Sequence, residues 1–126
     1  PKNKMNDWLV AEHQKRFNAP QDFFTAGGFA AAMAAVTAVT KAKSTDTEKL
    51  IAYFEKETQF DILKARKGYF RAWDHQLMQE AYPFTVKPKG KARDKWDFLV
   101  LGAAVPGPNQ PLELLAPPKS QNTCAF

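Results

Sequence analysis

The stretch Phe23-Phe24-Thr25-Ala26-Gly27-Gly28-Phe29-Ala30-Ala31-Ala32-Met33-Ala34-Ala35-Val36-Thr37-Ala38-Val39 decides how this chain is read. It is the longest weakly polar run in the sequence, and most of its apolar content is alanine. A membrane span wants about 20 strongly apolar residues, so the run reads as a buried helix. Asp22 stands where an N-cap belongs, and the helix is predicted to reach about Lys43. Phe29, Met33, Val36 and Thr40 form its stripe, while the alanines let a neighbour approach closely. Gly27 and Gly28 fall in the first turns, where each costs about 1 kcal/mol relative to alanine. Something other than helix propensity put them there.

Upstream, Asn6 is the predicted cap of a first helix with Asp7 in its first turn and Lys15 and Arg16 in its last, charges that suit the two ends of the helix dipole. Met5, Leu9, His13 and Phe17 recur every four residues with Trp8 beside them, and Asn18-Ala19-Pro20 ends the segment. Downstream, Thr45-Asp46-Thr47-Glu48 reads as a capping box, with Thr45 at the cap, opening a third helix through Leu50, Ile51 and Phe54 to about Glu57. Beyond Thr58 the pattern changes to β-type runs: Phe60 to Leu63, Tyr69 to Trp73, a long run from Leu77 to Val86, and Trp96 to Leu101. Lys87-Pro88-Lys89-Gly90-Lys91 is the predicted turn between the last two. Five of the nine prolines lie between Pro106 and Pro118, which predicts an extended tail pinned to a surface. The order is three helices, a β meander and a tail. No continuous Val/Ile run supplies a buried parallel strand, so the helices read as the covering layer of a sheet encoded elsewhere.

Composition bounds the rest. A chain of 126 residues, 44% hydrophobic and 25% charged, is one ordinary globular domain by size and excludes collagen, a disulfide-dense mini-protein and a disordered chain. The formal charge of +5 permits an anionic partner without requiring one. Cys124 is the single cysteine, which leaves it free or paired outside this sequence, and the absence of a Cys-x-x-Cys pair removes zinc fingers and dithiol redox motifs. Pro1 to Asn6 leads into an amphipathic stretch with no apolar h-region. If the protein is exported, its signal has been removed or lies outside the sequence.

No catalytic, metal-binding or cofactor-binding constellation emerges. The nucleophile candidates are Ser44 beside a helix cap and Ser120 in the tail, and neither has a histidine placed to serve it. Asp74-His75 reads as a turn into the long strand, and His13 as a half-buried packing residue. The rival function is a small basic nucleic-acid-binding domain. Lys64 to Trp73 interleaves four cations with three aromatics, and Lys87, Lys89, Lys91, Arg93 and Lys95 alternate through a turn. The match to an RNA-binding strand fails after Lys67-Gly68-Tyr69, where Phe70 takes the small-residue slot and Arg71 the second aromatic one.

Several segments, taken in order, resemble one family. They are Arg16-Phe17-Asn18-Ala19-Pro20, Phe24-Thr25-Ala26-Gly27-Gly28-Phe29-Ala30-Ala31, Thr45 to Leu50, Gly68-Tyr69-Phe70-Arg71, and Asp74-His75-Gln76 before a strand. The ending, Ala116-Pro117-Pro118 followed by Asn122-Thr123-Cys124, is also similar to the tails of some members. The family is the type 1 periplasmic solute-binding proteins of ABC importers, the Leu/Ile/Val-binding class with its relatives for aromatic acids, amides and urea. Relatives usually have an aromatic residue near His13 and a Pro-Lys-Gly turn where this chain has Arg66-Lys67-Gly68.

The resemblance implies an α/β fold of two lobes, of which this chain is the C-terminal fragment. Residues 1–75 would carry helices and first strands of lobe 1; residues 76–126 would carry the last hinge crossing, lobe 2 strands and the tail. Cys124 would have its partner upstream. It implies a periplasmic receptor, not an enzyme, that closes on a small solute and presents it to a membrane permease. Its partners are the ligand, the permease and the missing N-terminal part of the same protein, with no nucleic acid and no cofactor. Phe29 occupies the place of a cleft-facing aromatic residue, which fits an aliphatic or aromatic side group. The expected ligand-binding set is Phe29, Gly28, Gly27 and Ala26, the last three offering exposed backbone amides to a carboxylate.

Overall fold

The computed structural model describes residues 2–123, so Cys124 lies outside the described residues. Three helices come first: α1 Lys4–Phe17, α2 Phe23–Ala42 and α3 Thr47–Phe54. The cap of α1 is Asn3, three residues earlier than expected. Its side-chain oxygen accepts from the Asn6 amide at 2.9 Å. The reason is long-range, because the Asn3 side-chain nitrogen donates to Asp61 Oδ1 at 3.0 Å and to Lys64 O at 2.9 Å. Asn18 ends α1 in the left-handed region at φ 52, a conformation asparagine tolerates better than most side chains.

Asp22 caps α2 as expected, its carboxylate accepting from the Thr25 amide at 2.7 Å. By length and composition α2 is apolar enough to cross a membrane, with a mean hydropathy of 1.6. Its packed face is nonetheless that of a helix in a folded domain: Ala34 and Ala38 are buried, and Ala34 joins Phe60 and Ile62 in the core. The expected stripe is therefore corrected. Phe29 and Met33 are half-buried, whereas Val36 is 60% exposed and Thr40 is exposed. Alanines form the seam because α3 and Phe60 come close, and the larger side chains point elsewhere. The cap of α3 is Asp46, one residue after Thr45, with its carboxylate on the Lys49 amide at 3.1 Å; α3 ends at Phe54.

The β region forms two antiparallel ribbons, not one sheet. Strand β1, Tyr69–Phe70, pairs with β2, Leu77–Met78; β3, Phe84–Val86, pairs with β4, Leu99–Leu101. Phe60 adds only an isolated bridge to Gly68. The run expected as one strand from Leu77 to Val86 is interrupted over residues 79–83, where Ala81 bridges Val105 in the returning chain. The partner changes between Met78, which faces Tyr69, and Ala81, which faces Val105; Pro83, which cannot donate to a ladder, then interrupts the pairing with the returning chain before Phe84 meets Leu101. Gly90 has φ 83 at the third position of the Pro88–Lys91 turn, which Lys91 N closes on Pro88 O at 3.1 Å. The tail carries two short 3-10 turns, Leu112–Leu115 and Lys119–Gln121. As expected it is pinned, with Pro106 and Leu112 buried.

The core lies between α2, α3 and the first ribbon. Phe54, Phe60 and Phe70 pack with ring centroids 5.1 to 6.1 Å apart, and such pairs add about 0.5 to 1.5 kcal/mol each beyond area burial. Gly68 is required there by close approach. A Cβ at that position would stand 2.9 Å from Ile62 Cδ1 and 2.9 Å from the Met78 carbonyl oxygen.

Candidate functional site

The residues singled out in the sequence share the N-terminal end of α2. Phe29 is half-buried, and its ring centroid lies 5.8 Å from that of Trp8, tilted by 43°. Trp8 remains about half exposed, so the pair presents aromatic surface outward. Phe23 packs on Phe84 of β3 at 6.4 Å, which brings the start of α2 against the second ribbon, and Phe24 is 88% exposed. Trp8, Phe23 and Phe24 were not among the expected residues. For Phe23 and Phe24 the signal in the sequence is two aromatic residues directly after the Asp22 cap, which periodicity does not weigh.

Gly27 and Gly28 are exposed, and a Cβ added at either would meet no atom within 4 Å. Packing within this chain does not demand them. The expectation that amides at Ala26, Gly27 and Gly28 stand free for a carboxylate is corrected. The helix begins at Phe23, so the Ala26 amide already donates to Asp22 O at 3.1 Å, and the two glycines follow it inside the helical ladder. The positive end of the helix is met by the Asp22 carboxylate, which hydrogen bonds from Thr25 hold below the usual carboxylate range. What the glycines leave is bare backbone surface that a ligand or another segment can approach.

A separate groove of about 340 Å³ lies across α2, lined by Ala31, Ala34, Ala35, Ile51, Phe54, Phe70 and His75. None of the expected site residues lines it. Its walls are almost wholly apolar, and the polar group at its edge, His75, has its Nε2 2.9 Å from Glu55 Oε1. That lining is apolar surface with one polar group, and it lies apart from the aromatic end of α2 that the sequence singled out.

Other sequence candidates have structural duties. The Asp74 carboxylate accepts from Arg71 Nε at 2.9 Å and from the Gln76 amide at 3.2 Å, which builds the turn before β2. Arg71 is only 6% exposed, and its guanidinium stacks 3.9 Å from the Trp73 ring centroid. His13 Nδ1 lies 2.8 Å from Ala19 O and its ring packs on Phe17. Ser44 Oγ accepts from the Asp46 amide. Among the described residues no group of three or more His, Cys, Asp or Glu could hold a metal ion. The cations of the nucleic-acid alternative are largely engaged: Lys64 with Gln79 and Glu80, Arg66 with the tail, Arg71 with Asp74, and Lys87 and Arg93 with Asp97.

Glu80 organises the junction between the helical part and the second ribbon. It is 2% exposed; its carboxylate accepts from the Ala65 amide at 2.8 Å, the Arg66 amide at 3.2 Å and the Tyr82 hydroxyl. Burial pushes the Lys64 ammonium below its ordinary value, and the charge of Glu80 opposes that fall.

The arrangement has counterparts among known proteins. A family model described as periplasmic binding protein matches residues 1–92. A solved structure described as an ABC transporter from Rhodopseudomonas palustris is 68% identical over 69% of this chain, with a TM-score of 0.59. A second from that organism, described as an ABC-type branched-chain amino acid transporter, is 60% identical over 80% of the chain, with a TM-score of 0.68. A periplasmic binding protein from Burkholderia mallei shares the fold, with a TM-score of 0.72 over 84% of the chain at 24% identity. The comparison with curated proteins gives no match. The chain covers 26%, 26% and 28% of the length of these three solved proteins. Most of a two-lobed fold thus lies in segments that this sequence does not contain. With nearly three quarters of its residues matched by the family model, the chain belongs to the periplasmic binding protein family.

Proposed function

We propose that this chain is the C-terminal part of the solute-binding component of an ABC importer, located in the periplasm and acting with a membrane permease. Its solute is small: a branched-chain or other amino acid, an aromatic acid or an amide. Residues 1–75 contribute to lobe 1, and residues 76–126 carry the last crossing, strands of lobe 2 and the tail. The solute lies between the lobes at the N-terminal end of α2. Phe29, with Trp8 beside it, gives apolar contact area, and the bare backbone at Gly27 and Gly28, next to Ala26, lets the solute approach the helix closely. The carrying observation is that exposed aromatic and glycine corner, whose glycines no packing contact in this chain explains. The relative described as a branched-chain amino acid transporter supports the choice of solute class.

The test is a thermal-shift and calorimetric screen of the complete protein against amino acids, aromatic acids and amides. At least one is expected to bind and raise the melting temperature, since a ligand at about 100 times its Kd adds about 2.7 kcal/mol. Binding of none would overturn the proposal, as would tight, salt-resistant binding of RNA.

A further inference from the structure

We infer that Arg66 is a positioning residue for lobe closure, because it fixes the proline-rich tail as a returning strand beside the last hinge crossing. This rests on the two-lobe reading proposed above. The chain passes from the helical part to β3 through Glu80–Pro83, and after β4 it returns along the same path. Gly102 N donates to Pro83 O at 2.7 Å, Ala81 N to Val105 O at 2.7 Å, and Val105 N to Ala81 O at 2.8 Å. The connection is therefore a pair of antiparallel strands.

Both ends of the returning strand are held. At one end the β3–β4 ladder begins at once, with Phe84 opposite Leu101. At the other, Pro106 and Leu112 are buried, and Arg66 Nη1 donates to Gly107 O at 3.2 Å and to Gln110 O at 2.9 Å. The Gly107–Gln110 turn that Arg66 grips is closed by its own bonds, Gln110 N to Gly107 O at 3.0 Å and Gly107 N to Gln110 Oε1 at 2.8 Å. Arg66 is itself immobilised. Its backbone amide and that of Ala65 are bound by Glu80, a residue of the outgoing strand, and Lys64 O is bound by Asn3 at the start of α1. One loop thus holds the outgoing strand by its backbone and the returning strand by its side chain. A single extended segment swivels freely about a few φ/ψ angles, whereas two hydrogen-bonded strands bend and twist together. Without the Arg66 grip the Gly107–Gln110 turn comes loose, and the returning strand is held at that end only by the Ala81–Val105 pair and by buried Pro106 and Leu112.

The test uses the complete, ligand-free protein with Cys124 and every cysteine upstream replaced by serine, and spin labels on Lys15→Cys in α1 and Lys89→Cys at the tip of the second ribbon, both exposed positions. Double electron-electron resonance then reads the distribution of interlobe distances. Arg66→Ala is expected to widen it at least twofold. Arg66→Lys, which keeps a donor, should largely restore the parent width, and truncation after Val105 should reproduce the widening by a route that leaves Arg66 intact. An unchanged width in both Arg66→Ala and the truncated protein overturns the inference, even if both melt earlier, because the tail then only covers the surface. No solute enters this experiment, so its failure is distinct from a failure of the solute screen.

Discussion

Replacing Glu80 by alanine in the complete protein tests the reasoning about the junction most directly. The carboxylate serves the Ala65 amide, the Arg66 amide and the Tyr82 hydroxyl from a position that is 2% exposed. Each buried donor left without an acceptor costs about 1 to 3 kcal/mol. The cavity left by the side chain admits water to the outer donors, which offsets part of that loss. The expected destabilisation is about 3 to 4 kcal/mol, in the range for a broken buried network. Glu80→Gln keeps an oxygen for the amides and loses the charge, so about 1 to 2 kcal/mol is expected. Tyr82→Phe removes the bond to Glu80 and a long one accepted from the Ala65 amide at 3.4 Å, and should cost about 1 kcal/mol. Urea unfolding with tryptophan fluorescence reads all three, and Trp73 lies close enough in sequence to report on the neighbourhood. A loss under about 1 kcal/mol for the alanine variant, or equal losses for alanine and glutamine, would refute the account. Direct titration adds a second check, since without the Glu80 charge the half-buried Lys64 should titrate lower still.

Phe29→Ala in the complete protein should weaken solute binding by about ten- to a hundredfold, or 1 to 3 kcal/mol, in calorimetry; lost stability with unchanged affinity would make Phe29 a packing residue only. Gly27→Ala should stabilise the ligand-free protein by about 0.5 to 1 kcal/mol, because its Cβ meets nothing, yet lower solute affinity; rising melting temperature with unchanged affinity would remove the glycines from the site. Gly68→Ala, which forces a Cβ against Ile62 and the Met78 carbonyl, should cost about 1 to 3 kcal/mol in the same unfolding assay. The bond from Arg71 holds Asp74 below the usual carboxylate range, so its contribution is complete above about pH 4, the unfolded value, and is lost as pH falls through the lowered native one. Asp74→Asn should flatten that acid limb of a stability-against-pH curve; an unaltered limb would show the pair to be unimportant. Residues 1–126 alone should self-associate in analytical ultracentrifugation because Val36, Val86 and Phe24 stand uncovered; a monomer with a cooperative unfolding transition would contradict this.

The legible parts of the fold are those set by neighbours in sequence. Asp22 caps α2 because a carboxylate three residues before an amide can reach it, and no distant residue competes. At α1 two asparagines could serve, and Asp61 and Lys64 chose Asn3 from about 60 positions away. Periodicity found that α2 packs but misjudged its seam, since it ranks Val36 above alanine although close approach favours the smaller residue. The long strand failed because its partners are chosen at long range: Met78 faces Tyr69 whereas Ala81 already faces Val105, and nothing local marks the change. At the candidate site, the glycine pair was visible as a departure from helix propensity, whereas Phe29 was singled out by the family resemblance alone. The use already made of the amides was not, because it depends on where the first turn closes.

The double employment of Asn3 bears on the order in which the protein assembles. One end of its amide group belongs to a local event, the nucleation of α1, and the other to a loop synthesised some sixty residues later. While only the first helices exist, the oxygen can cap α1, but the nitrogen has water as its partner. The start of α1 acquires its native orientation when the 61–64 loop arrives, so its amides should gain hydrogen-exchange protection together with that loop and later than those of α2. An aspartate at this position would keep the local half of the arrangement while placing a negative charge beside Asp61. The result would be a chain that begins its first helix correctly and then fails to join it to the rest.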